Sequence, residues 1–383
     1  MKIAIFTDTY TPEINGVAKT LAKYTEYLKE NEIDFRVFAP KSTSDAHAYN
    51  NRVFSFMSLP FILYPECRIA LPHFKDIKDE LTNFNPDIIH IATPFNMGLC
   101  GLHYAKKFNI PVVASYHTDF ENFLDYYELG IFKDAFLKYI NWFHRPMKKI
   151  FVPSKTTKLK LAKQGLNNLE IWSRGVDCQT FHPRFDSPII REHFNIKEKY
   201  ILLYVGRISP EKNTQLLLKI AESLPNELRN DIHWLIVGDG PEKNKLEKKA
   251  LKNMTFTGVI EGDLLTRIYA TADLFVFPSH TETFGNVVLE SLASGTPVVT
   301  VNSGGVKDIV NNGLTGYLCT PNDPVDFSNA ITTLLKQDRT RYIMGENGRR
   351  YALSYDWDEI FKNLLKDYKI VLNNEKSLLY TAN

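Results

Sequence analysis

Cysteine is scarce in this chain of 383 residues: Cys67, Cys100, Cys178 and Cys319 lie far apart, with no C-x-x-C and no metal-ligand spacing. That excludes a disulfide framework and a zinc ribbon, and it points to a reducing, cytoplasmic setting. The lone sequon at Asn253 therefore carries no weight. Long apolar runs are also missing, since no stretch approaches the ~20 residues of a membrane span. The opening "MKIAIFTDTYTPEINGV" turns polar too early for a signal peptide. A membrane would be met from the side. Net charge is only +2, which leaves no electrostatic footprint for nucleic acid. What remains, 44% hydrophobic and 23% charged, is a globular composition on a chain long enough for two domains.

Short apolar runs alternate with amphipathic segments, the pattern of an α/β protein with parallel sheets covered by helices. The first half offers "KIAIFTD", "DFRVFAP", "DIIHIAT", "PVVASYH" and "KKIFVPS" as strands, and the second "YILLYVG", "HWLIVGDG", "MTFTGV", "DLFVFPS" and "TPVVTVN". These read as two doubly wound domains, 1–180 and 198–355, joined by a Pro-bearing linker at 181–197. Such domains are expected to face across a cleft at the carboxyl ends of their strands. The 3.6-residue pattern of Trp357, Ile360, Phe361, Leu364, Leu365 and Tyr368 predicts a packing helix over 356–373 that returns to the first domain.

The stretch "SHTETFGNVVLESLASGTP" (279–297) places Glu282 and Glu290 around a Phe284-Gly285-Asn286 turn. It reads as a strand, a helix N-terminus and a following strand, and an exposed helix N-terminus attracts phosphate. Carboxylates repel phosphate, so the two glutamates suit hydroxyl groups beside it, as in a pyrophosphate flanked by sugars. "YVGRISPEKN" then puts Arg207 and Lys212 in a loop at the head of a helix, where two cations can clamp a diphosphate and stabilise charge as it leaves. Asn15-Gly16 opens the first helix, and the glycine permits close backbone approach. His117 and Asp119 stand just beyond a strand in "SYHTDF". "VGDGPEK" has Lys243 where a dinucleotide fingerprint needs its third glycine, so NAD is not supported.

Taken together, "GRISPEKN", "VGDGPEK", "HTETFGNVVLE", "ASGTPVV", "GLTGYL" and "RGVDCQTFHP" resemble the retaining GT-B glycosyltransferases of family 4. "FTDTYTPEINGVAKTL", "YPECRIALP" and "YHTDF" are similar to a subgroup that adds hexoses to lipids or glycolipids, with mannosyl, glucosyl and sulfoquinovosyl members. The resemblance implies a GDP- or UDP-linked sugar as donor, no metal, and no other cofactor. It implies that Arg207 and Lys212 hold the donor diphosphate and that Glu290 binds ribose hydroxyls. Glu282, with the backbone of Phe284, Gly285 and Asn286, would hold the donor sugar and phosphate. Gly16 would approach the pyrophosphate, and His117 would line the reaction centre. Arg174 in "WSRGVD" stands where much of the family has Asn.

On the acceptor side, Lys133 to Lys163 hold nine Lys or Arg and one acid, Asp134, interleaved with aromatics. Such a surface can sit on anionic lipid at the inner face of a membrane, although the aromatic spacing also suits an ordinary core stripe. A soluble acceptor, and an inactive module that only binds sugar nucleotides, stand beside the lipid-directed enzyme as readings of the sequence.

Overall fold

The computed structural model describes residues 1–13, 15–41, 51–60, 68–119 and 133–381; Cys67 and the "YPEC" of "YPECRIALP" lie outside them. Two compact units divide the chain: Met1–Thr118 with Ile131–Ser173 and Asp358–Asn383, and Asp119–Gly130 with Arg174–Trp357.

The first unit is built on β1 (Lys2–Phe6), β2 (Asp34–Pro40), β3 (Val53–Phe56), β4 (Ser58–Pro60), β5 (Arg68–Ala70), β6 (Ile88–Ile91), β7 (Val112–Ser115), β8 (Ile150–Val152) and β9 (Leu169–Ile171). Seven of these form one parallel sheet in the order β3-β2-β1-β6-β7-β8-β9, while β4 and β5 pair with each other antiparallel. Ile3 to Phe6 are all fully buried, as a strand covered by helices on both faces must be. The helices are α1 (Gly16–Glu30), α2 (Phe74–Phe84), α3 (Asn96–Phe108), α4 (Lys133–His144) and α5 (Lys155–Lys163). α1 starts where it does because the Asn15 side chain accepts the Val17 and Ala18 N–H groups at 3.1 and 2.9 Å, relieving orphan donors of the first turn.

Strand order reverses between β1 and β6, the position where open α/β sheets place ligands. Asp8 follows β1 there, wholly buried at the head of α3. Its carboxylate accepts Thr93 Oγ1 at 2.6 Å and Met97 N–H at 2.8 Å. Burial outweighs these bonds and raises its pKa to about 6.

The second unit repeats the design with β10 (Tyr200–Val205), β11 (Ile232–Val237), β12 (Met254–Gly258), β13 (Leu274–Phe277), β14 (Val298–Val301) and β15 (Gly316–Cys319). Its all-parallel order is β12-β11-β10-β13-β14-β15, again with a reversal beside the first strand. Main helices are α6 (Pro188–His193), α7 (Gln215–Ser223), α8 (Gly262–Thr271), α9 (Asn286–Ala293), α10 (Pro324–Lys336) and α11 (Asp338–Ala352). Residues 181–197 hold α6 and a 3-10 turn at Pro183–Phe185, and they group with this unit. α12 (Trp357–Thr381) follows. From Asp358 it belongs to the first unit, burying Phe361, Leu364 and Tyr368 there and pairing Asp367 with Lys149 at 2.5 Å.

Candidate functional site

Two loops meet at the carboxyl ends of β10 and β13, on either side of the second unit's reversal point. The loop after β10 carries Arg207, Ser209, Glu211 and Lys212. The buried Tyr204 hydroxyl donates to the Arg207 carbonyl at 2.9 Å, pinning the loop from below. Ser209 Oγ donates to Glu211 Oε1 at 2.6 Å, and Arg207 Nη1 stands 3.9 Å from the same oxygen. Glu211 thus stands at the edge of ion-pair range from Arg207 and precedes Lys212 in the chain. The "VGDG" stretch after β11 backs this loop: Ile208 N–H donates to the Asp239 carbonyl at 2.9 Å. A Cβ on Gly238, at φ +139°, would stand 1.9 Å from the Gly206 carbonyl oxygen. Its glycines are needed for backbone packing.

The loop after β13 carries Glu282. Lys212 Nζ lies 2.5 Å from Glu282 Oε1, and Ser279 Oγ donates to that oxygen at 2.9 Å. Thr281 Oγ1 donates to the Glu211 carbonyl at 3.0 Å, and Gly305 N–H to the Glu282 carbonyl at 2.6 Å, so the two loops are laced to each other and to the loop after β14. Tyr204 lies beneath; burial first, then the Glu282 and Glu211 carboxylates, raise its pKa well above the usual phenol value.

α9 begins at Gly285, whose φ of +109° favours glycine. A Cβ there would meet Val306 Cγ1 at 2.7 Å. The Phe284 side chain is buried, and its backbone leads into the N-terminus of α9 through Gly285 and Asn286. Glu290 sits in the second turn beside the fully buried Val288 and Leu289. Its Oε2 accepts the Tyr269 hydroxyl at 3.0 Å. That bond is what lets a carboxylate stand half-buried in an apolar helix.

Gly16 and His117 belong to the first unit. Gly16 is the exposed first residue of α1, and His117 lies just past β7 with its ring 5.6 Å from that of Trp172, edge to face. In the basic stretch, Ile140 and Phe143 of α4 are core and the Tyr139 hydroxyl donates to the Pro94 carbonyl, whereas Trp142 is exposed. Among the described residues no three His, Cys, Asp or Glu side chains gather as a metal needs, and no helix is long and apolar enough to cross a membrane.

Residues 14–180 match the model of Glycosyltransferase Family 4, and residues 186–351 that of Glycosyl transferases group 1. A sulfoquinovosyl transferase of Arabidopsis thaliana is 34% identical, over 90% of this chain and 68% of its own. A GDP-mannose-dependent alpha-mannosyltransferase of Mycobacterium tuberculosis is 31% identical over 97% of both chains. The chain belongs to glycosyltransferase family 4. This glycosyltransferase has the GT-B fold of two Rossmann-like domains, which it shares with the solved sucrose-phosphate synthase of Thermosynechococcus elongatus at a TM-score of 0.77 and 20% identity, covering all of both chains. Glycosyltransferases of this kind draw their sugar from a nucleotide-linked donor.

The sequence reading named the charged candidates and omitted the groups that contact them: Tyr204, Ser209, Glu211, Tyr269 and Ser279. Glu211 stood in plain view between the two cations of "RISPEK". Tyr204 and Tyr269 lie within a strand and a helix, where an aromatic gives no sign that its hydroxyl faces a site.

Proposed function

We propose that this glycosyltransferase moves a hexose from a GDP- or UDP-linked donor to a hydroxyl of a lipid or glycolipid, with retention and without a metal. The observation that carries the reading is the junction of Arg207 and Lys212 with Glu282 at the reversal point of the second sheet, next to the N-terminus of α9. Two cations close to a helix N-terminus suit a diphosphate. Glu290, held by Tyr269, suits ribose hydroxyls, and Glu282 the hydroxyls of the sugar. In this reading Lys212 leaves Glu282 for the diphosphate, which frees the carboxylate to accept from the sugar.

The chemistry balances without a protein nucleophile. The anomeric C–O bond to the diphosphate breaks, the acceptor oxygen bonds the same carbon on the same face, and the acceptor proton passes to the departing diphosphate. Arg207 and Lys212 stabilise the charge that grows on the leaving group, where fixed electrostatic help matters most. By the family resemblance, Gly16 is a pyrophosphate residue and His117 a sugar residue. The lysines of α5 and the exposed Trp142 give that unit a basic, aromatic surface suited to anionic lipid. The names of the two relatives, one sulfoquinovosyl and one GDP-mannose-dependent, support a hexose and leave GDP and UDP to be compared.

Nucleotide release, assayed with GDP- and UDP-sugars in the presence and absence of lipid extract, tests the proposal. Release from one donor, stimulated by the extract, supports it. Stimulation by soluble sugars alone would favour the soluble-acceptor reading, and binding without any release would favour an inactive module.

A further inference from the structure

The β4–β5 hairpin of the first unit is inside out. Leu59 pairs across the strands with Ile69, and Leu71 N–H donates to the Met57 carbonyl at 2.6 Å, so Met57, Leu59, Ile69 and Leu71 line one face of the ribbon. That face is solvent-exposed: the four are 71%, 61%, 41% and 52% accessible, and Phe74, at the start of α2, is 57% accessible. The other face carries Ala70, buried, and Arg68, whose Nε donates to Ser58 Oγ at 2.8 Å. An antiparallel ribbon on a soluble domain ordinarily buries its apolar face and shows its polar one. Here the polar pair is turned in and five large apolar side chains are turned out.

The hairpin's position gives that face a direction. Arg68 N–H donates to the Asp8 carbonyl at 3.2 Å, and the Asn96 side chain donates to the Ala70 carbonyl. The ribbon thus lies over the carboxyl ends of β1 and β6, the ligand end of the first sheet.

We propose that this apolar face is the element by which the protein enters a lipid bilayer interface. It rests on the lipid-acceptor reading above in one respect: the bilayer would hold the acceptor, and the hairpin would bring it to the first unit's ligand end. Five side chains cover on the order of a few hundred Å², the size of the largest and often functional apolar patch of a monomer and short of the roughly 800 Å² that each partner gives to a stable dimer. A bilayer needs no matching area. Exposed Lys75 follows Phe74, and exposed Lys41 stands at the ribbon's margin, where its carbonyl accepts the hydroxyl of the inward-facing Ser58 at 2.7 Å. Of the nearby acids, Asp76 lies 2.9 Å from the His73 ring nitrogen, an ion pair when the imidazole is protonated. Apolar side chains rimmed by cations suit the boundary between acyl chains and headgroups.

Flotation of the full chain on vesicles of phosphatidylcholine alone, and of phosphatidylcholine with phosphatidylglycerol, tests this at low and high salt. The Leu59→Glu, Leu71→Glu double variant should lose about tenfold or more in partitioning on both vesicles, because a charge replaces an inserted apolar group. Circular dichroism melting reports its fold, and the Leu59→Ser, Leu71→Ser pair gives a second reading if the glutamates lower the melting temperature. A double variant that floats like the parent overturns the proposal, as does a parent that floats on neither vesicle. A parent dimer that the substitutions dissolve, seen by sedimentation without flotation, would assign the face to a second copy instead. Nucleotide release with detergent-dispersed lipid extract keeps the two readings apart: its persistence in the double variant leaves the lipid acceptor standing whatever flotation shows.

Discussion

Lys212 Nζ lies 2.5 Å from Glu282 Oε1, which also accepts the Ser279 hydroxyl at 2.9 Å. The two side chains come from different loops, 70 residues apart in sequence, and keep about a quarter and a seventh of their surfaces accessible. A pair so placed is partly screened and contributes about 1 kcal/mol or less to folding. In the proposed reading the pair keeps a cation and a carboxylate ready for different parts of one donor.

Glu282→Gln separates these roles. The amide keeps the Ser279 contact and much of the shape but loses the charge, so unfolding by urea should shift by about 1 kcal/mol at most. Turnover should fall by about a hundredfold if the carboxylate grips the sugar in the transition state. Steady-state kinetics check this, and an unchanged kcat would remove Glu282 from the reacting centre.

Glu290→Gln tests the nucleotide end. A hydrogen bond to a carboxylate is worth about 1.5–3 kcal/mol against about 0.5–1.5 for a neutral acceptor, so nucleotide affinity measured by calorimetry should drop roughly five- to tenfold. The Tyr269 hydroxyl can still donate to the amide oxygen, which predicts a melting temperature close to the parent's. Equal affinity with a lowered melting temperature would make Glu290 a packing residue.

Gly285→Ala should damage both fold and activity. The residue sits at φ +109° and its Cβ would meet Val306 Cγ1 at 2.7 Å, so a destabilisation of about 1–3 kcal/mol is expected from backbone strain alone. Displacing the start of α9 should also weaken the diphosphate contact. Urea unfolding and nucleotide affinity measured together check it; a stable, fully binding variant would contradict the geometry.

Acid stability depends on two buried groups of opposite sign in the first unit. Burial lowers the His144 pKa from 6.5 to about 4, so its share of stability is full above about 6.5 and is lost as pH falls through 4. Burial raises Asp8 from 3.8 to about 6, so its share is full below about 4 and is lost as pH rises through 6. His144→Phe removes one side of this opposition. Relative to the parent, the variant should gain about 3 kcal/mol between pH 7 and pH 4, read from urea titrations across that range. A difference between the two that does not change with pH would contradict the burial of His144.

Most of the ten predicted strands were legible because they are runs of buried apolar residues, as Tyr200–Val205 shows with all six buried; β12, half-buried along its length, is the exception. The elements that escaped are short or reversed. β3, β9 and β15 are short edge strands that bury at most half of their residues, so no continuous apolar run marks them, and β4–β5 turns its apolar face outward. In the site, charge was visible and support was not. Arg207, Lys212, Glu282 and Glu290 stand out because charged residues at strand ends need a reason, whereas Tyr204 and Tyr269 enter through hydroxyls on otherwise ordinary core aromatics. The basic stretch at 133–163 shows the converse, since its aromatic period was split between core, at Phe143, and surface, at Trp142.

Turnover of the Arg207→Ala, Lys212→Ala double variant tests the central claim most directly, namely that these two cations carry the charge on the departing diphosphate. With the melting temperature near the parent's, the rate of nucleotide release should fall by about a thousandfold or more. Near-normal release from a folded double variant would contradict the account.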